Sequence, residues 1–330
     1  MLTHIVIHKN NFTELDQSPV LNLQNAIKIF CDVKSDIQSP QIWLSSGITQ
    51  EIKPELNDLN YRPGAFVPKE PWRKPSPTEY CYLHANKSLS QIVSWDSSLH
   101  IGLCSFPDRV LAPFIAILEE LEAISKATLN EYKTIFRHPL WENGLTEIIK
   151  HLQIYRLAYN RPEVISFQVT QPGLKTVTPK VISIITQPEL KTAIKDDSIN
   201  PSENLLLGMH LDGWDRESLR LKYKSRNRLC INLGREDRFF LFINLTLIDM
   251  LNALGLPDKE IYEDYQETYI RDEFMNRYPD YPVVKLKVAP GEAYIAPTDN
   301  LIHDGSSLGK QYPDITLAFL GYFGIPSQQN

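Results

Sequence analysis

Residues 227–247 read NRLCINLGREDRFFLFINLTL, and this stretch decides the fold class. It holds two short runs rich in β-branched and aromatic residues, each bounded by Gly, Asn or Asp, which is the pattern of β-strands. Side chains alternate across a strand, so Arg228 and Asn232 share one face while Leu229 begins an apolar face on the other side. The stretch therefore predicts a sheet with one polar and one apolar side.

Similar patterns fill the chain from about residue 164 onward. They are short and apolar, and they read VISFQVTQPG, KVISIIT, NLLLGMHLDGW, VVKLKVAPGEAYIAP and DITLAFLGYF. Two helical patterns precede them, at about 110–136 and about 142–158. Helices followed by a run of strands predict an α+β fold in which the helices pack outside a β-sandwich or small barrel.

The length of 330 residues fits one large domain or two small ones, and we expect a single domain over 1–330. Residues 1–163 are predicted to form an N-terminal elaboration of mixed α/β and helical structure. Residues 164–330 are predicted to form the strand-rich core, which a helical insertion at about 246–282 interrupts.

The net charge, the apolar runs and the cysteines exclude some classes of function and partner. The net charge of -6 argues against nucleic acid as a partner, because neutralising phosphates requires a basic face. The sequence has no signal-peptide pattern at its start and no apolar run long enough for a membrane span, so we expect no membrane partner. The four cysteines form no CxxC pair, which favours a reducing compartment and hence the cytoplasm. The oligomeric state is not predicted.

A possible metal site lies in MHLDGWD, residues 209–215. In an extended strand, residues i and i+2 point to the same face, so His210 and Asp212 would aim at a common point. His303 follows a second apolar stretch, APGEAYIAP, and is the natural third ligand. Two histidines and one carboxylate with open positions are typical of non-haem Fe(II) oxygenases. The alternative is a buried His–Asp pair whose members only satisfy each other.

The C-terminal half resembles the double-stranded β-helix core, a jelly-roll or cupin-like fold, of the Fe(II)- and 2-oxoglutarate-dependent dioxygenases. The resemblance rests on His210-x-Asp212, on His303 and on the PGEAYIAP stretch, and it covers about residues 164–323. It implies that these three residues hold Fe(II), that 2-oxoglutarate and O2 are co-substrates, and that a substrate C–H bond is hydroxylated. Related halogenases lack the carboxylate, so Asp212 favours hydroxylation, desaturation or cyclisation.

One expected feature of that family is missing. Many members carry an Arg shortly after the distal histidine, followed by Ser or Thr, and this Arg binds the far carboxylate of 2-oxoglutarate. Here Asp314 stands where the Arg is expected, and Thr316 where the Ser is expected. We expect Arg228 with Asn232 to replace the anchor, because a guanidinium binds a carboxylate through two parallel hydrogen bonds. Arg238 is the second choice and Lys310 the third.

Other side chains are candidates for supporting roles. Trp214 is predicted to line the substrate pocket, and Tyr294 to donate to a bound carboxylate. Asp304 and Asn300 flank His303 and are candidates to orient it. The favoured function is hydroxylation of a small molecule, such as an amino acid or a natural-product intermediate. The alternatives are a peptide or protein hydroxylase on the same core, an iron oxygenase that does not use 2-oxoglutarate, and a cupin-like protein without redox chemistry.

Overall fold

The fold was analysed in a computed structural model of the chain. It describes residues 21–31, 40–50, 64–88, 95–123, 133–153, 161–170, 208–255, 267–306 and 310–323.

The described residues contain thirteen strands and five α-helices. The strands are β1 (Lys28–Cys31), β2 (Ile42–Leu44), β3 (Ile48–Gln50), β4 (Phe66–Pro68), β5 (His84–Ser88), β6 (His100–Ser105), β7 (Glu163–Thr170), β8 (Asn227–Asn232), β9 (Arg238–Phe242), β10 (Val284–Val288), β11 (Glu292–Ala296), β12 (His303–Ser306) and β13 (Asp314–Gly321). The helices are α1 (Pro77–Leu83), α2 (Asp108–Ala123), α3 (Pro139–Leu152), α4 (Leu247–Leu254) and α5 (Glu267–Arg277). Short 3-10 turns occupy Lys133–Arg137 and Leu219–Lys224.

Most of the described strands belong to two sheets. A seven-stranded sheet has the order β5-β1-β6-β11-β8-β13-β7, and a four-stranded sheet has the order β12-β9-β10-β2. Apart from the parallel pairs β1–β5 and β1–β6, the strand pairs in both sheets are antiparallel. As described, the two sheets remain open and do not close into one barrel. The result is a mixed α+β fold with a large, mostly antiparallel sheet.

Three apolar clusters show how the sheets and helices are layered. Side chains from both sheets meet in the middle cluster, for example Cys230 and Ala318 of the large sheet with Phe240 of the small sheet. The outer face of the large sheet packs against α2 and α3, and the outer face of the small sheet packs against α4 and α5. The fold is therefore a two-sheet sandwich with helices on both outer faces, and the site must form where the sheets face each other.

Local sequence signals explain where the helices start and end. The Thr246 hydroxyl accepts from the Asp249 amide while the Asp249 carboxylate accepts from the Thr246 amide, a capping box that begins α4. Gly255 ends α4 in the left-handed conformation at φ 63°. Pro139 begins α3, where its missing N–H costs nothing.

Several sequence predictions agree with these elements. Strands are present within 164–173, 227–234, 238–247, 283–297 and 314–323, and the helix predicted at about 142–158 is α3. Within the other predicted helix, α2 covers Asp108–Ala123 and a 3-10 turn covers Lys133–Arg137, while residues 124–132 lie outside the described residues. Two helices, α4 and α5, lie within the predicted insertion. The THIVIH stretch at 3–8, whose apolar pattern also predicts a strand, and the predicted strand at 180–186 lie outside the described residues.

Two differences affect the site. The first half of the chain contributes β1, β5 and β6 to the large sheet and β2 to the small one, so both sheets extend across the predicted boundary at residue 163. In addition, residues 208–214 do not form the regular strand that their apolar pattern predicts, because His210 makes only an isolated bridge to His303.

No helix in the described ranges combines the length and the apolar character needed to cross a lipid bilayer.

Candidate metal centre

The structure brings the three predicted metal ligands together. One ligand atom from each of His210, Asp212 and His303 lies within 4.8 Å of the others. The Nε2 atom of His210 is 3.9 Å from Asp212 Oδ1, and the Nε2 atom of His303 is 3.5 Å from Asp212 Oδ2. Donors about 2.1 Å from one ion lie roughly 3 Å apart, so a small contraction would close this set around a metal. Among the described residues, this is the one such group of His, Cys, Asp or Glu.

Backbone pairing places the two histidines side by side. The His210 amide donates to the His303 carbonyl at 2.9 Å, and the His303 amide donates back at 2.8 Å. This pairing continues the edge of the small sheet beyond β12, and it brings the imidazole centroids within 4.6 Å. The pair thus depends on a backbone contact between two distant parts of the chain.

Gly208 determines the path of the backbone just before His210. Its φ is 71°, a conformation that favours glycine, and a Cβ there would lie 2.5 Å from the Phe66 carbonyl oxygen. The next amide, that of Met209, donates to the same carbonyl at 2.8 Å. A glycine is required here, because β4 passes too close for any side chain.

Both imidazoles direct their Nε2 atoms toward the site. The Nδ1 atom of His210 is 2.7 Å from the Gly208 carbonyl, and that of His303 is 3.3 Å from the Leu301 carbonyl. A carbonyl only accepts, so each Nδ1 donates its proton to a carbonyl, and Nε2 is the ring atom left for a metal. His303 Nε2 is buried and has no hydrogen-bond partner among the described residues. Metal-ligating histidines are oriented in the same way, by a hydrogen bond from the ring nitrogen that does not bind the metal.

The charge states also suit metal binding. Burial lowers the pKa of His210, and the neighbouring His303 lowers it further, so the imidazole is neutral near pH 7. Burial alone would raise the pKa of Asp212, but His303 and Arg228 outweigh it and hold that pKa well below the ordinary value. The site therefore offers the neutral imidazole of His210 and the carboxylate of Asp212, with the His303 imidazole beside them.

Arg228 lies against the carboxylate of the triad. Its Nη1 atom is 3.3 Å from Asp212 Oδ2, and its side chain is 12% exposed. As predicted, it shares a strand face with Cys230 that points between the sheets, while Leu229 and Ile231 pack toward the helices. Arg228 Nε is buried without a hydrogen-bond partner in the described part of the chain.

Arg238 reaches into the same space from the opposite sheet. Its Nη1 atom is 2.9 Å from Cys230 Sγ, and its Nε atom is 3.8 Å from Asp314 Oδ1. A Cβ on Gly305 would lie 3.0 Å from Arg238 Nη2, so the small residue two positions after His303 leaves room for the guanidinium. The arginine expected on β13 is thus replaced by an aspartate that contacts an arginine from β9.

Lys310 and Asn232 form their hydrogen bonds with residues other than the triad. Lys310 Nζ donates to Asp314 Oδ1 and to the Glu236 carbonyl. Asn232 Nδ2 donates to the carbonyls of Glu236 and Val288, each at 2.9 Å, and its Oδ1 accepts from Gly234. With both amide hydrogens used, Asn232 holds the turn between β8 and β9. The prediction that it binds the co-substrate finds no support in this geometry.

Thr316 and Tyr294 lie on the inner face of the large sheet. Thr316 Oγ1 is buried with no partner among the described residues. Thr316 and Ala318 are successive inward-facing residues of β13, and Ala318 pairs with Cys230 of β8. Tyr294 stacks on Phe240 of the small sheet with ring centroids 4.1 Å apart. Burial raises the pKa of Tyr294, so its hydroxyl stays protonated and is available as a donor.

A buried aspartate that the sequence analysis did not single out holds the loop after Asp212. The Asp299 carboxylate accepts from the amides of Trp214 at 3.2 Å and Asp215 at 3.1 Å. Lys222 Nζ is 3.8 Å from the same carboxylate, and both side chains are at most 1% exposed. Burial raises the pKa of Asp299 although these donors oppose that shift. The cue in the sequence was an acidic residue in the PTDN turn, four residues before the distal histidine.

The remaining predicted residues have other contacts. Trp214 packs against the middle cluster, and its Nε1 atom is buried with no partner in the described ranges. Asp304 accepts from the Gly305 amide at 2.8 Å, and burial raises its pKa to about 6. Asn300 donates to the Ser98 carbonyl at 3.4 Å. Neither orients an imidazole through a hydrogen bond of its own, since the carbonyls of Gly208 and Leu301 do so.

A separate cavity of about 760 Å³ lies beside α1, between Arg73, Glu79, Arg277 and Asp280. No triad residue lines it, so it is not part of the metal centre.

Comparisons of the chain with protein-family models, with curated proteins and with solved structures found no match.

Proposed function

We propose that this protein is a non-haem Fe(II)- and 2-oxoglutarate-dependent oxygenase that hydroxylates a small molecule. One observation carries the proposal: His210 and His303 direct their Nε2 atoms at Asp212 while backbone carbonyls lie within hydrogen-bond distance of their Nδ1 atoms. Two imidazoles and one carboxylate leave half of an octahedral coordination sphere open, which is the donor set of Fe(II) oxygenases. Bound Fe(II) and 2-oxoglutarate supply the activation of O2 for oxidation of a substrate C–H bond.

The course of the chain supports a double-stranded β-helix core. From β8 to β13 the chain alternates between the sheets: β8 lies in the large sheet, β9 and β10 in the small, β11 in the large, β12 in the small and β13 in the large. This winding puts the chain segments that carry His210 and His303 next to each other on one sheet edge. A site at the mouth of such a sandwich suits binding of a small ligand.

We assign the far carboxylate of 2-oxoglutarate to Arg238 rather than to Arg228, the first choice from sequence. Arg228 is in contact with Asp212, whereas Arg238 lies beside Gly305 and forms no hydrogen bond or ion pair with the triad among the described residues. Asp314 and Cys230 hold Arg238 in this position from the large sheet. Thr316 adds a buried hydroxyl without a partner among the described residues to the same sheet face. The fixed guanidinium fork is suited to a carboxylate.

Aromatic residues keep water from this part of the sandwich. Phe240 stacks between Phe242 and Tyr294, and its ring lies 5.9 Å from that of His303. Exclusion of water strengthens the charge interactions of Arg228 and Arg238 with ligands, because the local dielectric is low. The net charge of -6 supports a small-molecule substrate over nucleic acid.

The proposal is tested by anaerobic titration of the metal-free protein with Fe(II) and then 2-oxoglutarate. The visible charge-transfer band of a chelated iron–2-oxoglutarate complex reports both events. We expect the band to form in the wild-type protein. Iron binding without the band would overturn the use of 2-oxoglutarate and favour a different iron protein on this scaffold.

The Arg238→Met variant tests the assigned anchor. We expect 2-oxoglutarate to bind about 10- to 100-fold more weakly in the same titration, because a charge-assisted hydrogen bond contributes roughly 1.5–3 kcal/mol. Iron affinity should change little, since Arg238 does not contact the triad residues through any hydrogen bond or ion pair found in the described part of the chain. Arg73→Met, which removes a surface ion pair with Glu79, is the matched control. Unchanged affinity in Arg238→Met would refute the anchor.

A further inference from the structure

The two arginines between the sheets have different partners. Arg238 has the protein carboxylate of Asp314 beside it, 3.8 Å from Nε. Arg228 is 3.3 Å from one carboxylate only, that of Asp212, and its Nε has no hydrogen-bond partner among the described residues. The single carboxylate beside Arg228 is therefore the one that the metal also needs.

Metal binding changes the charge balance around Arg228. Without a metal, the negative charge of Asp212 compensates the guanidinium of Arg228. A metal ion bound by Asp212 attracts that same negative charge and weakens the compensation. Arginine cannot release its proton in a protein, so its charge remains. An uncompensated charge in a buried position is strongly unfavourable, and an anion from outside the protein would remove that penalty. When the metal is bound, an anion beside Arg228 therefore stabilises the site.

Among the described residues, no carboxylate other than that of Asp212 forms an ion pair with Arg228. Its neighbours across the strands are Ala296 on β11 and Leu320 on β13, both buried and apolar. Trp214, two residues after Asp212, packs against the same apolar cluster and keeps a buried indole N–H without a partner among the described residues. The position next to the triad thus combines a guanidinium that has a free donor with apolar neighbours on both adjacent strands.

We propose that the substrate is a carboxylic acid whose carboxylate binds Arg228 beside the metal triad. The inference rests on the proposed function, because it assigns the carboxylate of 2-oxoglutarate to Arg238 and leaves Arg228 for a second anion. The guanidinium fixes the carboxylate through its planar donors, and the apolar residues receive the aliphatic part of the substrate. A neutral amide of the same shape would be rejected, because it carries no charge to pair with the guanidinium.

The test uses acetate as the smallest carboxylate probe and acetamide as its neutral counterpart. The protein is loaded with Mn(II) in place of Fe(II) and saturated with 2-oxoglutarate, and the paramagnetic relaxation of 13C-labelled probe is measured. We expect strong relaxation enhancement for acetate and little for acetamide. In Arg228→Met the apparent acetate affinity should fall at least about tenfold, and Arg228→Lys, which keeps the charge, should retain part of it.

The iron–2-oxoglutarate band, measured in parallel, separates the two proposals. A wild-type protein with the band but without acetate enhancement overturns the carboxylate inference alone. Enhancement that persists in Arg228→Met places acetate on the metal and also overturns it. Loss of the band in Arg228→Met would assign Arg228 to the triad or to 2-oxoglutarate, with the same consequence. Absence of the band in the wild type overturns the proposed function, and this inference with it.

Discussion

The His210→Ala variant is expected to bind Fe(II) at least about 100-fold more weakly than the wild-type protein. Loss of a group that merely supports a ligand typically costs 10- to 100-fold in metal affinity, and loss of the ligand itself removes a coordinate bond. His210 provides one of three ligand atoms that lie within 4.8 Å of each other, so two remain. Anaerobic equilibrium dialysis against Fe(II), repeated with Mn(II), measures the change directly.

A matched control separates this effect from general damage. His151→Ala removes another partly buried imidazole, which packs against Phe106 on the helical side of the large sheet. It should keep wild-type metal affinity, and both variants should retain the far-ultraviolet circular dichroism of the parent. If His210→Ala binds iron as tightly as the wild type, the triad is only a buried His–Asp cluster and the metal proposal is wrong.

The Asp299→Ala variant is expected to lower the free energy of unfolding by about 3–5 kcal/mol. Lys222 would lose its buried carboxylate partner, and the amides of Trp214 and Asp215 would lose their acceptor. Urea denaturation followed by tryptophan fluorescence measures the shift. Because Asp299 holds the loop directly after Asp212, metal affinity should fall as well, even under conditions where the variant is folded.

Two further variants test this explanation. Asp280→Ala removes an exposed carboxylate and should change the unfolding free energy by no more than about 0.5 kcal/mol. In the double variant Asp299→Ala/Lys222→Met, part of the lost stability should return, because the buried ammonium is removed together with its partner. A loss below about 1 kcal/mol in Asp299→Ala would contradict the role assigned to this carboxylate.

Much of the sheet structure follows from local patterns. The alternation in NRLCINLG predicts that Arg228 and Cys230 face one way and Leu229 and Ile231 the other, and the two faces do pack into different clusters. This works because the period of a strand is two residues regardless of what surrounds it. The same kind of reasoning failed at 208–214, where the positive φ of Gly208 and the single bridge at His210 replace a regular strand.

The residue that we propose as the 2-oxoglutarate anchor could not be identified from local sequence patterns. From the sequence, Arg228 ranked above Arg238, since both are arginines on strands that follow His210-x-Asp212. The ranking depends on partners that lie far away in the chain: Asp212 beside Arg228, and Asp314 with Gly305 beside Arg238. Asp299 was missed for the same reason, because its importance comes from amides and a lysine about 80 residues earlier.

The sequence by itself determined the residue types that carry the chemistry: two histidines, one carboxylate and a small set of arginines on short strands. Only the tertiary structure decided their arrangement. The backbone pairing of His210 with His303 and the division of the two arginines between Asp212 and Asp314 both depend on how the chain folds into its two sheets. Strand periodicity is a short-range property of the backbone, whereas these contacts join residues that only the packed core brings within a few ångströms.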